Sequence, residues 1–304
     1  MSRAALDLDL VQSTLSQQIT RLESELSTRL LQRTPQGVTP TEAGLAFFRE
    51  AQLTLRHADQ ATRAARQARL SGSVSVGLAP TTAALLGLPL MQAMRERYPD
   101  VRLHMVESMS GHLADLLNAR QLDLAVLFDA RLQQASNRVG SRTMSRRWQV
   151  LPLLEEDLFL ICARRARVRP LPATLRMKDL RQEPLILPTG SHGLRSTLDA
   201  AFARAHVSPQ VVMEIDSLSM LMAAVSQGMG STVQPWAALG RYPDAAQRFE
   251  LVRLGDPGAQ RVNLLCSLSE EELSPAALAA RVVLRDCVSA LVGAGDWQGA
   301  RLQD

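Results

Sequence analysis

QSTLSQQITRLESEL, residues 12–26, is the stretch on which the fold of this chain turns. Leu15, Ile19, Leu22 and Leu26 recur at steps of four, three and four, the spacing of one apolar stripe along a helix. The other positions are unusual. Gln12, Ser13, Ser16, Gln17, Gln18, Thr20 and Arg21 offer short donors and acceptors where a solvated helix commonly carries Lys and Glu. Such a face is built to be hydrogen-bonded by something outside the helix.

Working outward, LSTRLLQRTPQGVTPTEAG (residues 26–44) places the turn residues of TPQG and TP among two short extended pieces, which fits a small hairpin. From Pro40 a long helix is predicted, running to about Leu70 with Thr39 as N-cap, Pro40 in the first turn and Glu42 completing a capping box. Such a helix would extend about 45 Å at 1.5 Å per residue. Gly44, Phe48, Ala51, Leu55, Ala58, Thr62 and Ala65 alternate by four and three along it, a seam of mostly small residues at coiled-coil spacing. An isolated helix of this kind is marginal, so the seam is expected to pair two copies of the chain or, alternatively, to pack on another domain.

Beyond Ser71-Gly72-Ser73 the pattern becomes alternating strands and helices, which predicts a mainly parallel α/β architecture. Strands are expected at 73–78, 101–107, 122–128, 150–154, 158–162, 211–215 and 262–268, and helices at 88–97, 111–119, 195–205, 217–227 and 276–292. VRLHMVESMSGHLADLLNARQLDLAVLFD and VVMEIDSLSMLMAAVSQGMGSTVQP share one layout: strand, serines, amphipathic helix, tight turn, strand. One β-α-β unit has been used twice, in two lobes. Ligands of such units lie at the carboxyl ends of the strands, where helix N-termini present free N–H groups. Ser108, Ser110, Ser217 and Ser219 are candidate N-caps at those ends, and capping alone would account for any of them.

Composition narrows the function. With 304 residues and 46% hydrophobic side chains, the chain can bury sizeable cores in two or three domains. The net charge is +4, and its cations are 33 arginines and the single Lys178. Residues 131–181 hold 12 basic and 4 acidic side chains, so the basic excess lies away from the Gln/Ser helix and reads first as a solvated loop. Cys162, Cys266 and Cys287 are odd in number and far apart, as expected of buried free thiols in a reducing compartment. Asp7 and Asp9 interrupt any apolar leader, and the most apolar run, 83–91, is broken by Gly87 and Pro89, so neither a signal peptide nor a membrane span is expected and the chain reads as cytoplasmic. HExxH, CxxC, GxSxG and GxxxxGK[ST] do not occur, the five histidines show no metal-ligand spacing, and Ser191-His192 is an adjacent pair in a loop. Neither catalysis nor a cofactor is expected.

RAALDLDLVQSTLSQQITRLESELSTRLLQRTPQGVTPTEAG resembles the winged helix-turn-helix of LysR-type transcriptional regulators, through Ala4-Ala5, Leu8, Gln12, Leu15-Ser16, Ile19, Leu22-Glu23, Leu26, Leu30, Arg33, Gly37-Val38, Thr41 and Gly44. SGSVSVGLAP, LDLAVLFD and GMGSTVQP are similar to the family's effector-binding part, and among subgroups the chain is most similar to the nitrogen assimilation control regulators. The resemblance implies a winged helix-turn-helix over 1–39, a linker and dimerisation helix over 40–72, and a two-lobed, periplasmic-binding-protein-like α/β effector domain over 73–304. Its first lobe is expected at about 73–148 and 268–304, and its second at about 149–267. It implies double-stranded DNA and a small polar or anionic effector as partners, and a homodimer or homotetramer. Three departures stand out: Val11 where a small hydroxyl residue is usual, Ser13 where proline is common, and Leu31 where phenylalanine is usual. The Arg-rich span 164–181 matches no family role. The resemblance also places Met1 at the start of the family's second helix, so this form is expected to lack the first, to start too late or be truncated, and to bind DNA poorly.

In a helix-turn-helix the second helix enters the major groove. Gln12, Ser13, Ser16 and Gln17 are therefore the candidates for base or adjacent phosphate contact, supported by Gln18 and Arg21, with Arg33 of the wing on the backbone or in the minor groove. Leu15, Ile19, Leu22 and Leu26 are expected to pack the small domain. At the expected strand ends Pro80, Thr81, Thr82, Ser108, Ser110, Pro188 and Thr189 converge on a candidate effector site, joined by Phe128, His192 and Gln234. A transporter's solute-binding protein would share the two-lobed fold. It calls for a signal peptide and no Arg-bearing helix ahead of the first lobe, and an enzyme calls for a reacting group the chain does not display.

Overall fold

The computed structural model describes residues 2–7, 11–34, 37–66, 70–128, 148–164, 171–190 and 193–303. They form two compact units, Met1–Arg66 and Gln67–Asp304.

In the first unit, helix α1 (Ser2–Asp7) precedes α2 (Gln12–Glu25). Strands β1 (Leu31–Thr34) and β2 (Gly37–Pro40) pair antiparallel, with Gln32 opposite Thr39 and Arg33 opposite Val38, which is the hairpin the turn residues predicted. Helix α3 (Glu42–Arg66) follows. Two expectations change here. Pro40 belongs to β2, and the helix is capped by Thr41, whose Oγ1 accepts from the Gly44 N–H at 3.0 Å while donating to the carbonyl of Arg29. Gly44 is buried rather than part of an outward seam, because α3 begins directly against the Leu30 carbonyl and a Cβ at this position would overlap that oxygen. Phe48 and Leu55 do face outward, 56% and 68% exposed, whereas the expected stretch to Leu70 extends past the described helix.

The second unit is built on β-α-β turns. Strands β3 (Gly72–Leu78), β4 (Val101–Glu107) and β5 (Leu124–Leu127) run parallel in the order β4-β3-β5, with α4 (Pro80–Arg97) and α5 (Ser110–Asn118) as crossovers. Helix α4 starts eight residues earlier than its sequence pattern indicated, since Pro89 is accommodated inside it. Next comes β6 (Gln149–Ala163), one continuous strand where two were expected, then the short β7 (Thr174–Leu175). The second lobe repeats the first. Strands β8 (Pro184–Leu187) and β9 (Gln210–Glu214) are parallel, and Leu185 bridges in parallel to Ser231 just ahead of β10 (Thr232–Pro235), so β8 lies between its neighbours as β3 does. Helices α6 (Gly193–Arg204) and α7 (Leu218–Ser226) are the crossovers. The short α8 (Ala245–Arg248), β11 (Phe249–Leu254), β12 (Gln260–Ser267), α9 (Pro275–Gly293) and β13 (Ala300–Leu302) complete the unit.

β6 carries the chain from lobe to lobe. Its residues 149–157 pair with β12, which pairs in turn with β5 of the first lobe, while 158–161 pair with β10 and 159–163 with β11 of the second. The crossing therefore falls inside β6 near Asp157-Leu158 and again ahead of Gln260, where the backbone changes pairing partner, rather than at 148 and 268. Each lobe has its own core, one around Leu113, Leu117, Leu122 and Leu127, the other around Leu158, Leu185, Leu198 and Phe202.

Candidate nucleic-acid interface and ligand cleft

Helix α2 holds no buried residue. Leu15, Ile19 and Leu22 are half-buried and Leu26 is 42% exposed, so the stripe expected to pack the small domain is only partly covered. Gln12, Ser13, Gln17, Gln18 and Arg21 are exposed and Ser16 is half-buried. Val11, the cap residue, has no side-chain hydrogen bond, so the helix start is not closed off by its own N-cap side chain. Arg21 reaches Glu25 at 3.0 Å, both well exposed. The side chain of Arg33 lies outside the described residues, but its backbone is in β1.

What aims the wing is Glu23. Its Oε1 accepts from the N–H of Leu30 at 2.7 Å and of Leu31 at 2.9 Å, tying the last turn of α2 to the start of β1. Those N–H groups, Leu31 first, hold the Glu23 carboxyl below its usual range. In the sequence Glu23 stands out only as part of the family pattern, because its partners are backbone atoms seven and eight positions away.

The second unit contains a narrow cleft of about 40 Å³, opening to solvent, between the N-terminal ends of crossovers from both lobes. Pro80, Thr81, Ser110, Phe128, Pro188 and Gln234 line it. Three other candidates do not. Thr82 is wholly buried and donates to Asn263 Oδ1 at 3.1 Å. Thr189 bonds Asp216 through its N–H at 2.9 Å, and Ser108 lies off the lining. His192 is outside the described residues. The serines also part ways: Ser217 caps α7, receiving the Met220 N–H, whereas α5 is preceded by Met109 and Ser110 Oγ instead accepts from the Phe128 N–H at 3.1 Å.

At the base of the cleft lies a residue the sequence did not single out. Arg261 is 3% exposed; its Nε donates to Glu156 Oε1 at 2.6 Å, its Nη2 to Thr81 Oγ1 at 2.6 Å, and the guanidinium lies 3.7 Å from the Phe128 ring centroid. Glu156 is completely buried and also accepts from Asn263 Nδ2 at 2.8 Å and from Trp297 Nε1 at 3.0 Å. Burial pulls the Arg261 guanidinium below its usual range, and Glu156 opposes that pull. Next along β6, Asp157 meets Arg301 at 3.0 Å and Arg253 at 2.8 Å; burial raises its pKa, and these arginines outweigh that and hold it low. A lone Arg ahead of the apolar run VNLLCSL was the available signal. Among the described residues no helix is long and apolar enough to cross a membrane, and none form a metal-binding group of His, Cys, Asp and Glu.

Two family profiles match: the bacterial regulatory helix-turn-helix protein of the lysR family over residues 1–45, and the LysR substrate binding domain over 67–287. The nitrogen assimilation regulatory protein of Klebsiella aerogenes is 35% identical over 95% of this chain and 90% of its own length. Its Escherichia coli counterpart is 32% identical over 96% and 91%. Among solved structures, a full-length OxyR variant from Pseudomonas aeruginosa shares the fold at a TM-score of 0.69, 22% identity, and coverage of 95% of this chain and 89% of its own. Full-length CbnR complexed with its target DNA does so at 0.56, 20% identity, covering 94% and 93%. The chain belongs to the LysR family: it is a DNA-binding transcriptional regulator with a two-lobed domain for a small-molecule effector.

Proposed function

We propose that residues 1–39 read an operator through the major groove, that 40–72 join two copies, and that 73–304 respond to a small polar or anionic effector, in the cytoplasm and without catalysis. One observation carries the DNA assignment: Ser13, Gln17, Gln18 and Arg21 of α2 are turned to solvent on a helix that Glu23 bonds directly to the wing. Gln12, Ser13, Ser16 and Gln17 read base edges or adjacent phosphates, Gln18 and Arg21 support them, and Arg33 holds the backbone from the wing. Phe48 and Leu55 supply the outward apolar surface for the second copy, which doubles the DNA contacts of a chain whose own net charge is modest. The effector lies against Pro80, Thr81, Ser110, Phe128, Pro188 and Gln234, and closing the lobes on it biases the arrangement of the copies and so the spacing of their half-sites.

Footprinting the purified protein on the DNA flanking its gene, with and without small molecules, tests this. Replacing Gln12 or Ser16 by Ala is expected to weaken specific binding by about 1–3 kcal/mol and to leave nonspecific binding nearly intact. Equal weakening on every DNA sequence would make these residues backbone anchors instead of readers.

A further inference from the structure

Of the nitrogen atoms of the Arg261 guanidinium, Nε and Nη2 are bonded to Glu156 and Thr81, while Nη1 is buried and has no hydrogen-bond partner among the described residues. Gln234 Oε1, from the opposite lobe's side of the cleft, is also buried without a partner among the described residues, and as an acceptor it calls for a donor elsewhere on the ligand rather than for the carboxylate. A buried donor left unpaired costs free energy, and one beside a cleft is satisfied by whatever enters. We infer that Arg261 is the anchor of the effector, presenting the N–H groups of Nη1 to the carboxylate of a small monocarboxylate whose apolar remainder lies on Phe128, Ile215 and Leu221.

The charge balance selects one carboxylate rather than two. Glu156 already matches the charge of Arg261, so an entering anion is met by N–H donors and by the N-terminal ends of α4 and α5, each worth roughly half a positive charge. The Phe128 ring over the guanidinium keeps water from the anchor and fixes its plane, which favours a planar carboxylate over a carbonyl of arbitrary orientation. Because Glu156 sits on the strand shared by both lobes, a ligand held by Arg261 is bonded to the crossing itself.

This inference rests on the cleft's being the effector site, and calorimetry on the full chain separates the two claims. Acetate, hexanoate and benzoate are titrated beside acetamide, hexanamide, benzamide, the dicarboxylate adipate, and glucose and putrescine as unrelated solutes. At least one monocarboxylate is expected to bind at least about tenfold more tightly than its own amide, the difference a charge-assisted hydrogen bond makes. Adipate is expected to bind more weakly than hexanoate. Arg261→Lys keeps a cation for Glu156 but loses the planar fork, and should reduce the preference of acid over amide. Equal binding of acid and amide, or monocarboxylates that do not bind while glucose or putrescine does, overturns the anchor and leaves the cleft as the effector site. Binding by none of the solutes overturns the anchor and counts against the cleft as well. The comparison of acid with amide needs only the natural protein, so it decides the matter even if the variant does not fold.

Discussion

Helix α2 and the centre of strand β6 treat polar side chains in opposite ways. On α2, Ser13, Gln17 and Gln18 face water and the helix holds no buried residue. At β6, Glu156 is wholly withdrawn from water and accepts from Arg261, Asn263 and Trp297. The difference follows from the cost of burying a polar group, which is tolerable only when hydrogen bonds replace the lost water. Polar groups satisfied within the chain hold its two lobes at their crossing; polar groups left at the surface are available to another molecule. Arg261 lies on the border: two of its nitrogens are bonded inside, the third is buried without a partner among the described residues, and the residue itself lines the cleft.

The sharpest way to break the comparison is at its buried end. Glu156→Ala leaves Arg261 buried without its counter-charge and Trp297 Nε1 without its acceptor, and should destabilise the 67–304 unit by about 3–5 kcal/mol in urea unfolding. A loss comparable to that of an exposed substitution would show that the crossing is wet and that burial there confers nothing. A smaller effect belongs to the point where the reading unit is most tightly packed. Gly44→Ala forces α3 away from the Leu30 carbonyl, an overpacking strain of about 1–3 kcal/mol. It should loosen residues 1–66 to protease and lower DNA binding while the thermal unfolding of the 67–304 unit stays the same. Loss in both units would mean they are not independent.

The two ends of the comparison were not equally legible in the sequence. The stripe and polar face of α2 were read from a 14-residue helix because both repeat locally, and β4 was placed at 101–107 because its alternation is unbroken. β6 reads in the sequence as two strands because Glu155, Glu156 and Asp157 interrupt its apolar run. What makes those acids compatible with a central strand is supplied from far away: Arg261 lies 105 positions after Glu156, Arg301 144 after Asp157. No periodicity encodes such partners. For the same reason Pro80, Thr81 and Ser110 were found in the cleft from strand ends and helix starts, whereas Thr82, identical in local pattern, turned inward to Asn263. Short strands such as β7 and β13 carry too few residues for any alternation to register.

The smallest effect concerns the exposed end, and it sharpens what "available" means there. Arg21 is held by Glu25 at 3.0 Å on a solvated face, and such a pair contributes only about 0.3–0.5 kcal/mol to a helix. Arg21→Ala should therefore leave thermal unfolding almost unmoved. On DNA its loss should be visible in a different quantity. If Arg21 gives up Glu25 for a phosphate, its removal weakens binding alike on operator and unrelated sequences and reduces the slope of log K against log salt by about 0.9, one phosphate contact. Measured affinities at several salt concentrations for Arg21→Ala and Gln12→Ala then separate the two kinds of surface residue. Gln12, a neutral reader, should change discrimination between sequences with the slope intact. A slope unchanged by Arg21→Ala would leave that guanidinium with Glu25 in the complex, and its place beside the reading face would then serve the helix alone.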